Sequence, residues 1–312
     1  MRGQQALIHS PYVGRFAPTP SGPLHFGSLV AALGSALEAR RHGGRWLVRI
    51  EDVDVPRAMP GMDGAMLATL ERFGFEWDGE VLWQSRRADI YASALERLKA
   101  GGHVFPCACS RREQAEVPDS ILARDGSLRY PGTCRSGLPL GVRPRAWRVR
   151  AEGTIRFEDA IQGGQEEELA RDVGDYVVFR ADGVFAYQLA VVVDDAEQGV
   201  THVVRGADLL GSTARQIHLQ KQLGLPVPNY AHLPVATNAA GEKLSKQTQA
   251  RAVDEESSSR MLVAALDFLG QNPDAELGGA SVRDIWAWAL GNWKMERVPR
   301  VLQLPAAELA RR

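Results

Sequence analysis

The sequence predicts an α/β protein built on a parallel sheet with crossover helices, interrupted by an inserted subdomain and followed by a short helical region. Three observations carry this expectation. From Tyr12 to Ile50 an apolar run, a turn rich in Pro and Gly, a stretch of helical periodicity and a second apolar run follow one another, and such a strand–helix–strand unit closes by a right-handed crossover onto a parallel sheet. All three cysteines of the chain fall between Cys107 and Cys134, behind a Gly101-Gly102 break. Apolar residues recur at helical spacing around Met261–Leu269 and Val282–Leu290.

Tyr12–Ala17 reads as the first strand, and Leu29, Val30, Leu33, Ala36 and Leu37 define a helix that Gly43-Gly44 stops. Arg45–Ile50 reads as the second strand, helical patterns follow at Met62–Phe73 and Ala88–Ala100, and Arg86-Arg87 between them reads as a solvated turn. Beyond the break, Trp147–Val149, Thr154–Phe157, Tyr176–Phe179 and Phe185–Val193 read as strands, with Asp182-Gly183 as a hairpin signal and Glu166-Glu167-Glu168 as an exposed acidic loop. Asp194-Asp195 is expected to end a central strand, and Thr201–Arg205 to begin another. Ser212 is expected to cap a helix reaching Leu223, stopped by Gly224 and Pro226. The residues after Val298 show no period and read as loosely ordered. The organisation expected is 1–102 and 186–250 as two halves of one domain, 103–185 as the insert, and 251–312 as a helical stem.

The chain has 312 residues, enough for a sizeable core, and its 37 basic and 38 acidic side chains leave no bulk charge that advertises nucleic acid. Any RNA contact must therefore use a local basic face. Neither a signal peptide nor an apolar run of membrane-spanning length is present, and the few clustered cysteines fit a reduced compartment, so a cytoplasmic location is expected.

Three stretches carry candidate chemistry. Arg15–Leu29 joins strand to helix through Pro18-Thr19-Pro20-Ser21-Gly22-Pro23, and the N–H groups and positive dipole end of a helix start suit phosphate. Gly22 and Gly27 permit close approach, Ser21 and Ser28 are possible N-caps, and His25 offers a neutral donor. Glu51-Asp52-Val53-Asp54 follows the second strand, at the carboxyl end where ligands of parallel sheets bind. Gly241-Glu-Lys-Leu-Ser-Lys-Gln247 places Lys243 and Lys246 on either side of Ser245 in a polar loop. Taken singly, each is an ordinary turn, acidic cap or solvated basic loop.

Taken together and in this order, Pro-Leu-His-Phe-Gly-Ser and Lys-Leu-Ser-Lys resemble the two signature motifs of class I aminoacyl-tRNA synthetases. Phe-Ala-Pro-Thr-Pro-Ser-Gly and Arg49-Ile-Glu-Asp-Val-Asp54 resemble the glutamyl branch, as do Ala186-Tyr-Gln-Leu-Ala190 and Val204-Arg-Gly-Ala-Asp-Leu-Leu210. Ser28 stands where many members carry a second His or a Gly, and Gln247 where Ser or Arg is common. The resemblance implies a Rossmann-like catalytic domain of the class I synthetase type with an acceptor-type insert. It further implies ATP contacts at His25, Gly27, Ser28, Lys243, Ser245 and Lys246, with magnesium carried on the ATP. Arg15, Ala17, Thr19, Glu51, Tyr187 and Arg205 are placed around glutamate, Glu51 holding the α-ammonium group. A glutamate side chain calls for a guanidinium, which meets a carboxylate with two parallel hydrogen bonds, and Arg15 and Arg205 are the two candidates.

Cys107, Cys109 and Cys134 can converge on one zinc ion, leaving one tetrahedral position. His103 is the ordinary chemical candidate for it. The glutamyl-queuosine branch of the family is similar in using a Cys-x-Cys pair, a Tyr and a later Cys, which favours Tyr130 and a single structural zinc. Ser110, Arg111, Arg112 and Arg124 between them read as solvated surface. Only 65 residues follow Gln247, so the large anticodon-reading domain of full glutamyl enzymes is expected to be missing. The branch implies L-glutamate activated without tRNA and passed to queuosine at the wobble position of tRNA(Asp); the alternatives are a minimal glutamyl-tRNA synthetase charging a tRNA 3′ end and an inactive synthetase-like RNA-binding module. A monomer without membrane partners is expected.

Overall fold

A computed structural model describes residues 11–54, 57–116, 121–123, 126–238, 241–244 and 252–306. Arg124, Ser245, Lys246 and Gln247 lie outside the described residues.

The chain opens with β1 (Val13–Phe16), α1 (Phe26–Arg41) and β2 (Arg45–Ile50), and β1 pairs with β2 in parallel, Val13 opposite Arg45. Five consecutive residues of β2 are buried, as expected of a strand covered on both faces. After α2 (Met62–Arg72), β3 (Leu82–Trp83) adds to the far side of β2 in parallel. The second half supplies α5 (Tyr187–Glu197), β9 (His202–Gly206), α6 (Leu210–Leu223) and β10 (Asn229–Leu233), with β9 and β10 parallel. Thr201 N donates to Val13 O (2.9 Å), seating the two sheets edge to edge. The strand order thus runs outward from the β1/β9 seam in both directions.

α1 crosses this seam and is buried along most of its length, because its faces are built from Ala32, Ala36, Ala39 and Gly34 as well as leucines. A Cβ on Gly34 would lie 2.8 Å from Leu233 Cδ1, so a side chain there would force Leu233 to shift from its place between helix and β10. On its outer side α1 is covered by α7 (Ser258–Phe268) and α8 (Val282–Asn292), whose bounds overlap the two periodic stretches.

Between the halves lie α3 (Ala88–Ala100), β4 (Val104–Cys107), the short α4 (Arg111–Ala115), β5 (Ala146–Val149), the hairpin β6 (Thr154–Asp159) and β7 (Gly163–Glu168), and β8 (Tyr176–Phe179). β4, β5 and β8 form an antiparallel sheet of their own, whereas β6 pairs with β10 and extends the main sheet.

Several local expectations are corrected. The run Phe185–Val193 is not a strand; Tyr187–Glu197 is helical, and Leu189–Val193 are all buried. With no exposed face, that helix shows no period, and tertiary packing overrides the strand preference of its valines. Asp194 and Asp195 therefore lie inside a helix. The acidic run Glu166–Glu168 is no loop: it is the edge strand β7, where Arg156 meets Glu166 across the ladder at 2.8 and 3.1 Å, a charged edge of the kind that discourages further pairing. α6 begins at Leu210, so Ser212 is internal to it. Gln303–Pro305, within the tail expected to be loose, forms β12 in parallel with β11 (Val235–Thr237). Arg87 is not a solvated turn residue either, since its Nε lies 2.8 Å from Asp194 Oδ1.

At the centre Arg49 is fully buried and bridges three carboxylates: Asp195 Oδ1 at 2.8 Å, Glu51 Oε1 at 3.4 Å and Asp194 Oδ2 at 4.0 Å. Removing Arg49 takes from Glu51 its ion-pair partner and leaves Asp194 and Asp195 each with one cation fewer. Arg49→Met should lower unfolding free energy by about 3–5 kcal/mol, measured by urea denaturation; an unchanged midpoint would show that the carboxylates do not need this cation.

Candidate active site and metal centre

A cavity of about 280 Å³ opens at the carboxyl ends of β1, β2, β9 and β10. This is the place where strand order reverses, the usual ligand crevice of open parallel sheets. One wall is the turn before α1. His25, rather than Ser21 or Ser28, is the N-cap: its backbone is extended (φ −115°, ψ 174°) and its Nδ1 accepts from Ser28 N at 3.3 Å. A neutral ring then keeps its proton on Nε2.

Gly27 leaves the room expected of it, since a Cβ there would lie 3.1 Å from the His25 ring and 3.6 Å from Leu244 O. The basic loop is tied to this wall from both sides. Thr237 bridges to Lys243, and beyond the loop Val253 N donates to Leu24 O at 2.9 Å. Lys243 lines the cavity and its Nζ reaches Asp208 Oδ2 at 2.6 Å. Among residues expected at ATP, His25, Gly27, Ser28 and Lys243 meet here, while Ser245 and Lys246 lie outside the described residues.

The same cavity is lined by Arg15, Ala17, Thr19, Glu51, Tyr187 and Arg205, all six expected around glutamate. Arg15 comes from β1, Glu51 from the end of β2, Tyr187 from the first turn of α5 and Arg205 from β9. Arg15 Nε donates to Asp195 Oδ1 (3.2 Å), and among the described residues its two terminal nitrogens have no hydrogen-bond acceptor. Arg205 spends Nε on His232 Nε2 (3.0 Å) and NH2 on Thr213 Oγ1 (3.0 Å), with Tyr187 OH 3.4 Å from NH1. Burial pushes the Glu51 carboxyl above the ordinary range, partly opposed by Arg49 and Arg15. Burial acts on Asp195 in the same sense, but Arg15 and Arg49 outweigh it and hold that group low. Burial also keeps the Tyr187 phenol protonated.

The sequence did not single out Arg49, Asp159, His232 and Asp208 or foresee pairing by Asp195. The visible signals were Arg49 inside the strand pattern Arg45–Ile50 and the polar His232 between Ala231 and Leu233, residues that have no reason to be there unless paired.

The cysteines converge in the insert. Cys107 ends β4, Cys109 precedes α4, and Cys134 follows Tyr130 in a loop; their three sulfurs lie within 4.8 Å of one another. The Tyr130 hydroxyl is 3.4 Å from both Cys107 Sγ and Cys109 Sγ, and Cys109 and Cys134 sulfurs are 3.5 Å apart. Zinc bonds of about 2.3 Å set sulfurs about 3.8 Å apart in a tetrahedron, so this donor set fits. His103 is not part of the cluster. Arg148, from β5, donates to Cys107 Sγ at 3.4 Å and lies 4.0 Å from the Tyr130 ring centroid, placing a cation beside the sulfur cluster. Burial raises the Cys109 thiol to about 11, and metal binding requires the thiolate.

The profile of the family described as tRNA synthetases class I (E and Q), catalytic domain, matches residues 12–273, and the chain belongs to that family. Class I synthetases use ATP. Within it, the chain is similar to the Glutamyl-Q tRNA(Asp) synthetase of Aromatoleum aromaticum, 67% identical over 296 residues that cover 95% of this chain and 93% of that protein. The protein of the same name from Dechloromonas aromatica is 58% identical, over 96% of this chain and 100% of the relative. Among solved structures, glutamate-tRNA synthetase from Elizabethkingia anophelis superposes with a TM-score of 0.79 at 25% identity, covering 96% of this chain and 69% of that one. No helix among the described residues is long and apolar enough to cross a membrane.

Two buried histidines give the fold a pH dependence. His218, hydrogen-bonded to Tyr176 OH (3.0 Å), and His232, bonded to Asp159, are both lowered from 6.5 to about 4, chiefly by burial. The unfolded chain binds protons near 6.5 that the native state refuses, so this stability is full above about 6.5 and is lost as pH falls from there toward about 4. Urea midpoints should be lower near pH 5 than near neutrality, and His218→Gln should shrink the difference; an equal pH slope in wild type and variant would contradict this account.

Proposed function

We propose that this protein is an ATP-dependent ligase that activates L-glutamate and transfers it to queuosine at the wobble position of tRNA(Asp), acting as a cytoplasmic monomer. The observation that carries the reading is the convergence of Arg15, Glu51, Tyr187 and Arg205 on one pocket beside the His25 turn, in a chain whose relatives at 67% and 58% identity are named for that acceptor.

In the first step an α-carboxylate oxygen of glutamate attacks the α-phosphorus of ATP. A P–O bond forms, the α,β-anhydride breaks, and pyrophosphate leaves. Protein groups chiefly position the reactants and neutralise charge in such a displacement. Glu51 takes the α-ammonium group, while Arg15 and Arg205 take the side-chain carboxylate. Of these two, Arg15 has the uncommitted terminal nitrogens for a parallel pair of hydrogen bonds. Main-chain N–H groups at the start of α1, with Lys243, Ser245 and Lys246, meet the phosphates, and magnesium arrives with the ATP.

In the second step a hydroxyl of the cyclopentenediol attacks the adenylate carbonyl, an ester forms, AMP leaves and the hydroxyl proton is lost. A site shaped for a ribose cis-diol suits that ring, and an unstacked anticodon loop presents it as accessible single-stranded RNA. Cys107, Cys109, Tyr130 and Cys134 would hold one zinc ion, which supplies a structural cross-link for the insert.

Incubation with ATP, labelled glutamate and tRNA(Asp) prepared with and without queuosine, followed by cleavage of the product, should place the label only in the queuosine-bearing anticodon loop. Label at the 3′ end would make this a glutamyl-tRNA synthetase instead. Lys246→Ala should reduce glutamate-dependent pyrophosphate exchange by about 100-fold or more with the fold intact, and an unchanged rate would remove it from the site. Cys109→Ser should lower bound zinc in metal analysis, whereas full occupancy would reject the proposed ligand set.

A further inference from the structure

Asp159 on β6 and His232 on β10 form a pair with no side-chain exposure at all. His232 Nδ1 lies 2.6 Å from Asp159 Oδ2, and Asp159 Oδ1 accepts from the backbone N–H groups of Ile161, Gln162 and His232 at 2.9–3.1 Å. The other ring nitrogen, Nε2, accepts from Arg205 Nε. A guanidinium only donates, so Nε2 is the bare nitrogen and the single ring proton sits on Nδ1, facing the carboxylate. The hydroxyl of Thr213, 3.3 Å from Nε2, also serves Arg205.

The remaining contacts of Arg205 follow the same rule. Thr213 Oγ1, Leu209 O and Tyr187 OH are all uncharged acceptors, and among the described residues no carboxylate comes within ion-pair distance of it. Arg15 and Arg49, by contrast, share Asp195. Arg205 is 4% exposed, so it is a buried cation oriented from four sides and neutralised from none. A carboxylate in place of the imidazole would orient it equally well but would cancel its charge. A protonated imidazole would oppose donor to donor.

Resting on the glutamate reading of this pocket, we propose that the Asp159–His232 pair is a specificity-determining positioning device. It locks Nε2 as a neutral acceptor, fixing the Arg205 guanidinium while leaving its charge for the side-chain carboxylate of glutamate. The uncharged amide of glutamine gains nothing from that charge and brings a donor face to it.

Glutamate-dependent pyrophosphate exchange by the wild-type protein comes first, because its absence is a failure of the glutamate reading and not of the relay. With exchange present, His232→Asn keeps a donor for Asp159 but has no atom at the Nε2 position, whereas His232→Gln extends an amide oxygen to it. H232N should raise KM for glutamate by roughly tenfold, leave KM for ATP within about twofold, and narrow the glutamate-over-glutamine ratio in kcat/KM; H232Q should recover most of each change. Unaltered KM and selectivity in H232N would overturn the proposal, and so would an equal loss of kcat in both variants with KM unchanged. If H232N fails to fold, long-range nitrogen–proton correlation NMR of the wild-type imidazole decides: a proton on Nδ1 supports the relay and a proton on Nε2 ends it.

Discussion

The carboxyl edge of the sheet is organised by one electrostatic constraint, the need to keep three neighbouring carboxylates charged out of water. Glu51, Asp194 and Asp195 are all buried, and separate burial of such groups would cost several kcal/mol each. Arg49 reaches all three, Arg15 doubles its hold on Asp195, and Gln84, Arg87 and Tyr91 saturate Asp194 at 2.8–2.9 Å. Satisfying them fixes the relative positions of β1, β2, α3 and α5, and with them the pocket wall. The cluster makes the wall stiff before any ligand arrives, which is what an enzyme that works by positioning needs.

The two halves of the pocket differ in how they treat charge. On one side the cations are shared with protein carboxylates, and Glu51 is left as the one acidic group facing the cavity from β2. On the other, Arg205 is surrounded by uncharged oxygens and an imidazole. A zwitterion with an extra carboxylate is complementary to that division. The insert is built differently. One face of its sheet of β4, β5 and β8 joins a large core through Val104, Val149, Tyr176 and Val178, and the other carries a separate small apolar cluster of Phe105, Cys107, Tyr130, Cys134 and Ala146. The three cysteine sulfurs converge within that small cluster.

Much of this was legible in the residues. The strand–turn–helix at Val13–Arg41 follows from local patterns, because Pro and Gly punctuate it and an apolar period runs through α1. The wall residues Arg15, Glu51, Tyr187 and Arg205 were named from motif resemblance, and the fold brings all four together. What failed to show were relations that depend on pairing at a distance. Leu189–Val193 is buried all round, so helix and strand leave the same apolar signature there. Arg87 looks like any surface arginine until Asp194 is placed beside it. Glu166–Glu168 reads as solvent-loving, and only the ladder with β6 turns it into a strand. His232 carried no motif of its own; its role emerges when β6 brings Asp159 alongside from 73 residues away.

That last pairing has a consequence for the order in which the molecule acquires its chemistry during synthesis. Arg15 and Asp195 are separated by 180 residues, and Arg205 lacks the imidazole that accepts from its Nε until β10 has been made and has docked between β9 and β6. Loop-closure entropy delays such non-local contacts relative to local helices. A nascent chain on the ribosome can therefore own the turn before α1 and α1 itself long before it owns the pocket wall of Tyr187 and Arg205. Such a chain lacks Tyr187 and Arg205, and with them the side chains that would hold an amino acid beside the turn.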